Sequence, residues 1–247
     1  MKGALLDSGR LCSSTGMTSL PVLLEDNHVL AVNKPAGLLT QAAHAGDDNC
    51  LDEAREYIRD RYNKPGQVFL GLVHRLDRNV SGAVVFARTS KAASRMSRAF
   101  AQRDVAKHYL AVVEGEAPDD DRLVHRLGPR ESGRGVSARA DGKEAKMRYR
   151  CLSRAQGRSW LEVRLETGRK HQIRAQLALS GLPLVGDPLY GSPDREIRRP
   201  ALHSWHLGMP HPIGDRGRLT VTAPLPADLL DLLGRLGWSV PDPPELR

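Results

Sequence analysis

The sequence predicts a mixed α/β protein of the α+β kind, and three observations carry that expectation. Its apolar runs are strand-length, the longest from Ser81 to Ala87, far short of the ~20 residues that a bilayer span needs. Several segments alternate with period two, as where Met147, Tyr149 and Cys151 interleave with Lys146, Arg148 and Arg150. Between them lie a few amphipathic stretches with the period of a helix.

Taken in order, residues 1–20 carry Lys2 and Arg10 without a continuous apolar stretch, so they read as a flexible tail and not a secretory signal, with Met17 an alternative start. Residues 21–247 read as a single domain, a length that can bury one large core. Short apolar runs flank Glu25-Asp26-Asn27 in the manner of a hairpin, and Lys34-Pro35-Ala36-Gly37 turns the chain sharply. Leu51, Ala54, Ile58 and Tyr62 recur at helical spacing behind a cap at Asp48 or Asn49. Residues 68–73 and 83–87 read as buried strands. A second helix starts near Thr89 or Ser90, burying Ala92, Met96 and Phe100 and turning Lys91, Arg95, Arg98 and Arg103 to solvent; such a basic face is either simply solvated or laid along a phosphate backbone. Residues 107–114 read as a strand, as does the alternation of Leu161, Val163 and Leu165. Residues 117–142, rich in Asp, Arg, Gly, Ser and Pro, read as a mobile excursion from the sheet. A short helix bearing Ile173 and Leu177 follows, with Thr167 as N-cap and Gly181 as C-cap. After a stretch dense in Pro and Gly, Leu219 and Val221 mark a strand, and Leu229, Leu230, Leu233 and Leu236 a closing helix.

Composition narrows the function classes. Thirty-seven Lys and Arg against 29 Asp and Glu leave a formal charge of +8, mostly through arginine, which points to a polyanionic partner. Only 4% of residues are aromatic, so recognition through phosphates and shape is favoured over a base-stacking platform. Cys12, Cys50 and Cys151 are far apart and unpaired in sequence, which argues against a disulfide framework and fits a reducing cytoplasm. No P-loop or G-x-G-x-x-G segment is present. His203, His206 and His211 lack the H-E-x-x-H pattern and are interrupted by prolines, so no metal site is assigned. No coiled coil is visible, and a monomer is expected.

The chemistry concentrates in His74-Arg75-Leu76-Asp77-Arg78-Asn79-Val80-Ser81-Gly82, where an acid and two cations sit between apolar runs. A partly desolvated Asp77 would take up a proton unless Arg75, Arg78 or a distant cation held it ionised. A structural Asp that caps a tight turn before Gly82 explains the same pattern, and this segment alone leaves both readings open.

Five segments in order resemble the RluA-like family of RNA pseudouridine synthases. They are Val32-Asn33-Lys34-Pro35-Ala36-Gly37-Leu38; the H-R-L-D segment from His74 to Gly82; Lys107-His108-Tyr109-Leu110-Ala111; Leu165-Glu166-Thr167-Gly168-Arg169-Lys170-His171-Gln172-Ile173-Arg174; and Val185-Gly186-Asp187-Pro188-Leu189-Tyr190-Gly191 with Leu202-His203-Ser204-Trp205. The resemblance implies the pseudouridine synthase fold, a mixed, largely antiparallel sheet flanked by helices with an active-site cleft across it. It implies isomerisation of uridine in structured ribosomal or transfer RNA, with no cofactor, because the reaction involves no redox change. It assigns the catalytic carboxylate to Asp77, an ion-pair partner to Arg174 and a base contact to Tyr109. Arg75 is the expected filler of the gap left by an extruded uridine, its plain alternative being a salt bridge to Asp77. Lys34, Arg78, Arg169 and His171 are expected to contact RNA, and Asp187 to serve its turn. Three departures stand out: Asn79-Val80 in place of an acid and Thr, Gln176 in place of His, and too few residues before Pro21 for an accessory RNA-binding domain. The competing readings are a non-catalytic RNA-binding module of the same fold and a carboxylate glycosidase acting on small nucleosides.

Overall fold

The computed structural model describes residues 20–191, 194 and 196–244. The first hairpin is β1 (Val22–Glu25) and β2 (Val29–Lys34), joined by a turn in which the Asp26 carboxylate accepts from the His28 and Val29 amides at 2.7 Å each. Then come α1 (Cys50–Arg61), β3 (Gly71–Leu72), β4 (Ser81–Ala87), α2 (Ser90–Ala101), β5 (Ala106–Glu114), β6 (Asp120–Pro129), β7 (Val136–Ala138), β8 (Lys143–Ala155), β9 (Arg158–Leu165), α3 (Gln172–Leu179), β10 (Leu202–Pro210), β11 (Arg218–Thr222) and α4 (Ala227–Arg235). The caps of α1 and α2 are those the sequence offers: Asn49 accepts from Asp52 N, and Thr89 from Ala92 N.

All eleven of these strands join one sheet in the order β1-β2-β4-β10-β5-β9-β8-β6-β7, with β3 beside β4 and β11 beside β10. Every pairing is antiparallel except β4 with β10. Alternation along the strands divides the apolar residues between two faces. On one, α1 (Ala54, Ile58) and α3 (Ile173, Leu177) cover Val84, Phe86, Tyr109, Ala111 and Val163. On the other, α2 (Ala92, Met96, Ala99) covers Ala83 and Val85, while α4 (Leu229, Leu232, Leu233) covers Leu110, Val112 and Trp160.

The central strand β10 escapes period-two reading because both its faces are buried and it carries His203, Ser204 and His206 among apolar residues. His203 bridges Ser81 Oγ (2.9 Å) and Ala223 O (3.1 Å), so its polarity is satisfied within the core. At the β4–β10 seam Gly82 lies at φ +122°, and a Cβ there would sit 2.2 Å from Ser204 O.

Several expectations are corrected. Residues 117–142 are not an excursion: β6 pairs with β8 from Asp120 to Leu127, burying Leu123 and Leu127. Its polarity reflects a strand near the sheet's edge with one face in solvent. Of residues 68–73 only Gly71–Leu72 pairs with β4. Tyr62 and Leu230 are exposed, and the Tyr62 hydroxyl donates to Glu25 (2.6 Å). Thr167 does not cap α3: the helix begins after His171, while Thr167 Oγ1 accepts from Lys146 N and bonds the Gln172 side chain at 2.8 Å each. The expected tail lies outside the described residues except for Leu20, which is buried in the core.

Candidate active site

Asp77 stands in the loop between β3 and β4, and that loop is fastened from beneath. Leu76 and Val80 are buried on either side of it, and Thr40 Oγ1 donates to Leu76 O (2.8 Å) while accepting from Leu76 N (3.1 Å). Lys34 completes the fastening. Its side chain is fully buried, and Nζ donates to Pro35 O (2.9 Å), Leu38 O (2.8 Å) and Arg78 O (3.2 Å). Burial lowers its pKa to about 8. Lys34 therefore cannot reach RNA; it ties the turn after β2 to the Asp77 loop. Arg78 is exposed with Nε on Gly37 O (2.8 Å), on the same fastening and away from the cleft lining.

A cleft of about 550 Å³ opens above this loop, lined by Asp77, Tyr109, Arg174, His171, Lys107 and Arg75 among others. Arg174 projects from α3 and is 6% exposed. Its Nη1 donates to Asp77 Oδ2 at 3.1 Å, while Nε and Nη2 grip both oxygens of Asp187 at 2.7 and 2.9 Å. Burial opposes the Arg174 charge, but the bonds and charges of Asp187 and Asp77 outweigh it and raise its pKa. The bidentate grip, possible for the guanidinium fork and not for lysine, aims the remaining nitrogen at Asp77. Asp187 is fully buried and also accepts from Leu189 N (3.1 Å). It serves its turn as expected, but its larger part, holding Arg174, was not legible: the motif shows an Asp in a turn, not the cation across the cleft that it meets.

His171 sits at φ +50° ahead of α3. Its Nε2 is 3.7 Å from Asp77 Oδ2, and its Nδ1 is 3.0 Å from the Tyr190 hydroxyl, which also accepts from Val136 N (2.9 Å). Burial pushes the imidazole pKa down, against the pull of Asp77. His171 is thus turned inward to the acid rather than outward to a phosphate. Tyr190, missed in the sequence, also lies beneath the Arg174 guanidinium, 5.1 Å from ring centroid to Cζ. Tyr109 projects from β5 opposite Ser204, and burial drives its phenol up to about 12. Arg75 is exposed at the cleft and, among the described residues, makes no ion pair with Asp77, which disfavours its salt-bridge alternative. Arg169 is exposed at the rim with Nε on Glu144 O (3.0 Å).

Both departures near the site are accommodated. Val80 is buried in the core, and buried Gln176 donates to Leu123 O (3.1 Å) and Ala145 O (3.2 Å) while accepting from Gln172 (2.9 Å), sewing α3 to β6 and β8. Among the described residues no group of His, Cys, Asp and Glu has a metal-binding arrangement, and no helix is long and apolar enough to cross a membrane.

The architecture is that of the pseudouridylate synthases. It matches solved human RNA pseudouridylate synthase domain-containing proteins 4 and 1 with TM-scores of 0.74 and 0.70, over 90% and 94% of this chain and 95% and 100% of theirs, at 21% and 24% identity. A family model described as RNA pseudouridylate synthase matches residues 28–179, and the chain belongs to that family of RNA-modifying isomerases. It is 37% identical over 239 residues to ribosomal large subunit pseudouridine synthase D of Xanthomonas campestris pv. campestris, and 36% identical to those of Nitrosomonas europaea and Pseudomonas aeruginosa. These matches cover 88%, 87% and 88% of this chain and 69%, 64% and 72% of the relatives, so the chain spans about two thirds of their length.

Proposed function

We propose that this chain isomerises uridine to pseudouridine in large-subunit ribosomal RNA, acting as a monomer in the cytoplasm through one catalytic unit over residues 21–247. The observation that carries the reading is Asp77 at the cleft, 3.1 Å from a buried arginine that is itself locked by a second carboxylate. The substrate class rests on the ribosomal large subunit enzymes among the bacterial relatives, and the location on the sequence's three widely separated cysteines.

The reaction breaks the N1–C1′ bond of uridine, turns the uracil and joins its C5 to C1′; the proton lost from C5 is balanced by one gained at N1. No electrons leave the substrate, so the chemistry calls for positioned acids and bases. Asp77 attacks the sugar or base as a nucleophile or takes a proton from the ribose, and Arg174 holds it aimed. Tyr109 stays neutral through the physiological range and packs against the extruded base as a stacking or hydrogen-bonding surface. Arg75 fills the vacated stack, and Arg169 at the rim meets phosphate.

The test is release of the C5 hydrogen from tritiated uridine in unmodified ribosomal and transfer RNA. Wild type is expected to release tritium from the ribosomal fraction and Asp77→Asn from neither. Release from transfer RNA alone would move the substrate class; RNA binding with no release by either protein would leave a binding module.

A further inference from the structure

The two twelve-residue helices, α1 and α2, follow opposite charge rules. In α1 Asp52 and Glu53 occupy the first turn and Arg59 and Arg61 the last, complementing the helix dipole, and the pairs Arg55–Asp52 and Arg59–Glu56 close at 2.7 and 3.5 Å. In the twelve residues of α2 there is no acid. Lys91 lies in its first turn, where a cation opposes the dipole, and Lys91, Arg95 and Arg98 follow one another at i, i+4 and i+7, each an exposed like-charge neighbour of the next. Among the described residues none of these three, nor Arg103, joins an ion pair; Arg95 donates only to Pro212 O (2.6 Å). Such a face works against the free helix, so its explanation lies in what it meets.

The face leads to the cleft. Phe100, Ala101 and Arg103 at the end of α2 line the cavity that holds Asp77. Arg103 turns the chain at φ +62°, and Lys107 lies beyond it on the same rim. Burial and then the Arg103 charge push the Lys107 ammonium down to about 8, a conflict that an anion seated between the two would relieve. At 1.5 Å per residue α2 is about 18 Å long, roughly five stacked nucleotides at ~3.4 Å each.

We propose that the outward face of α2, from Lys91 to Arg103, is the track along which the phosphodiester backbone flanking the target uridine runs into the cleft. The proposal rests on the chain's action on RNA but not on turnover. Its test is binding of an unmodified large-subunit ribosomal RNA transcript across a salt series by wild type, by Lys91→Gln/Arg98→Gln/Arg103→Gln and by the charge-matched control Arg55→Gln/Arg59→Gln/Arg61→Gln on α1. The α2 variant is expected to lose about tenfold to several hundredfold in affinity near 0.1 M salt, with a log–log salt slope shallower by about 2 to 3. Its melting temperature is expected to stay level or rise, since repulsion is relieved. The control should keep its slope within about one unit of wild type. Unchanged RNA affinity in the α2 variant, or equal loss in both variants, overturns the proposal. Because the readout is binding, a chain that makes no pseudouridine would leave this result intact while refuting the catalytic reading.

Discussion

Replacing Asp187 by Asn separates the two carboxylates that share Arg174. Asp187 is wholly buried and supplies two of the three charge-assisted bonds to the guanidinium, whereas the Asp77 side chain is 26% exposed and supplies one. Breaking a buried pair from one side leaves an uncompensated charge at a cost of about 3–5 kcal/mol; the amide keeps one acceptor, so about 3 kcal/mol is expected. For a chain of this size that corresponds to a melting temperature roughly 6–12 °C lower. Asp77→Asn, near solvent with its charge only half of Arg174's compensation, is expected to cost under about 1 kcal/mol. The assay is thermal unfolding of both variants beside tritium release from ribosomal RNA. Asp187→Asn should lose stability and activity together, because Arg174 is no longer aimed, and Asp77→Asn activity alone. A melting temperature for Asp187→Asn within about 2 °C of wild type, or undiminished turnover, would refute the view that Asp187 positions Arg174.

Other outcomes follow from the same geometry. Burial holds the His74 pKa down at about 3 and that of His203 at about 4, against an ordinary 6.5. Below pH 6.5 the unfolded chain takes up these protons before the folded one does, so stability present above pH 6.5 is lost as pH falls toward 4. Each histidine contributes up to about 1.4 kcal/mol per pH unit, and His74→Gln should flatten the melting profile between pH 6.5 and 4.5; a flat wild-type profile there refutes the assignment. Gly82→Ala must push a Cβ into the Ser204 backbone at a left-handed φ, so a loss of about 3 kcal/mol or more is expected, read as melting temperature or soluble yield. Lys34→Met orphans the Pro35 and Leu38 carbonyls beneath the Asp77 loop and leaves Arg78 O with Gly37 N alone, and about 2–3 kcal/mol of stability should go while the salt slope of RNA binding stays unchanged; a shallower slope would return Lys34 to the RNA surface.

Local rules made much of this molecule legible in sequence. Asn49 and Thr89 announce their helices because capping needs only residues three apart, and the β1–β2 hairpin shows itself through a turn whose chemistry is local to Asp26. Motif order, not periodicity, located Asp77 and Arg174, which lie 97 residues apart. What stayed hidden depends on meetings across the chain. Lys34 reads as a surface cation until the turn that follows it folds back and the distant Arg78 carbonyl joins those of Pro35 and Leu38 around it, and Asp187 as a turn residue until α3 brings Arg174 against it. The strand β10 shows no period-two signal because both its faces are buried, its polar side chains being satisfied by partners on β4 and the segment after β11.

That strand also sets when the enzyme comes into being. Until residues 202–210 arrive, β1-β2-β4 and β5-β9-β8-β6-β7 are two separate ribbons, each with an unpaired edge that β10 must fill. The nascent chain thus carries Asp77, Tyr109 and Arg174 out of the ribosome well before it can bring them together, since the acid hangs from one ribbon and the tyrosine from the other. Closure depends on the most sequence-distant pairing in the sheet, the kind that slows folding and leaves strand edges exposed to chaperones or to misassembly in the interval. Pulse-labelled chains arrested before residue 202 should accordingly be protease-sensitive between β4 and β5, and become resistant only once β10 has inserted.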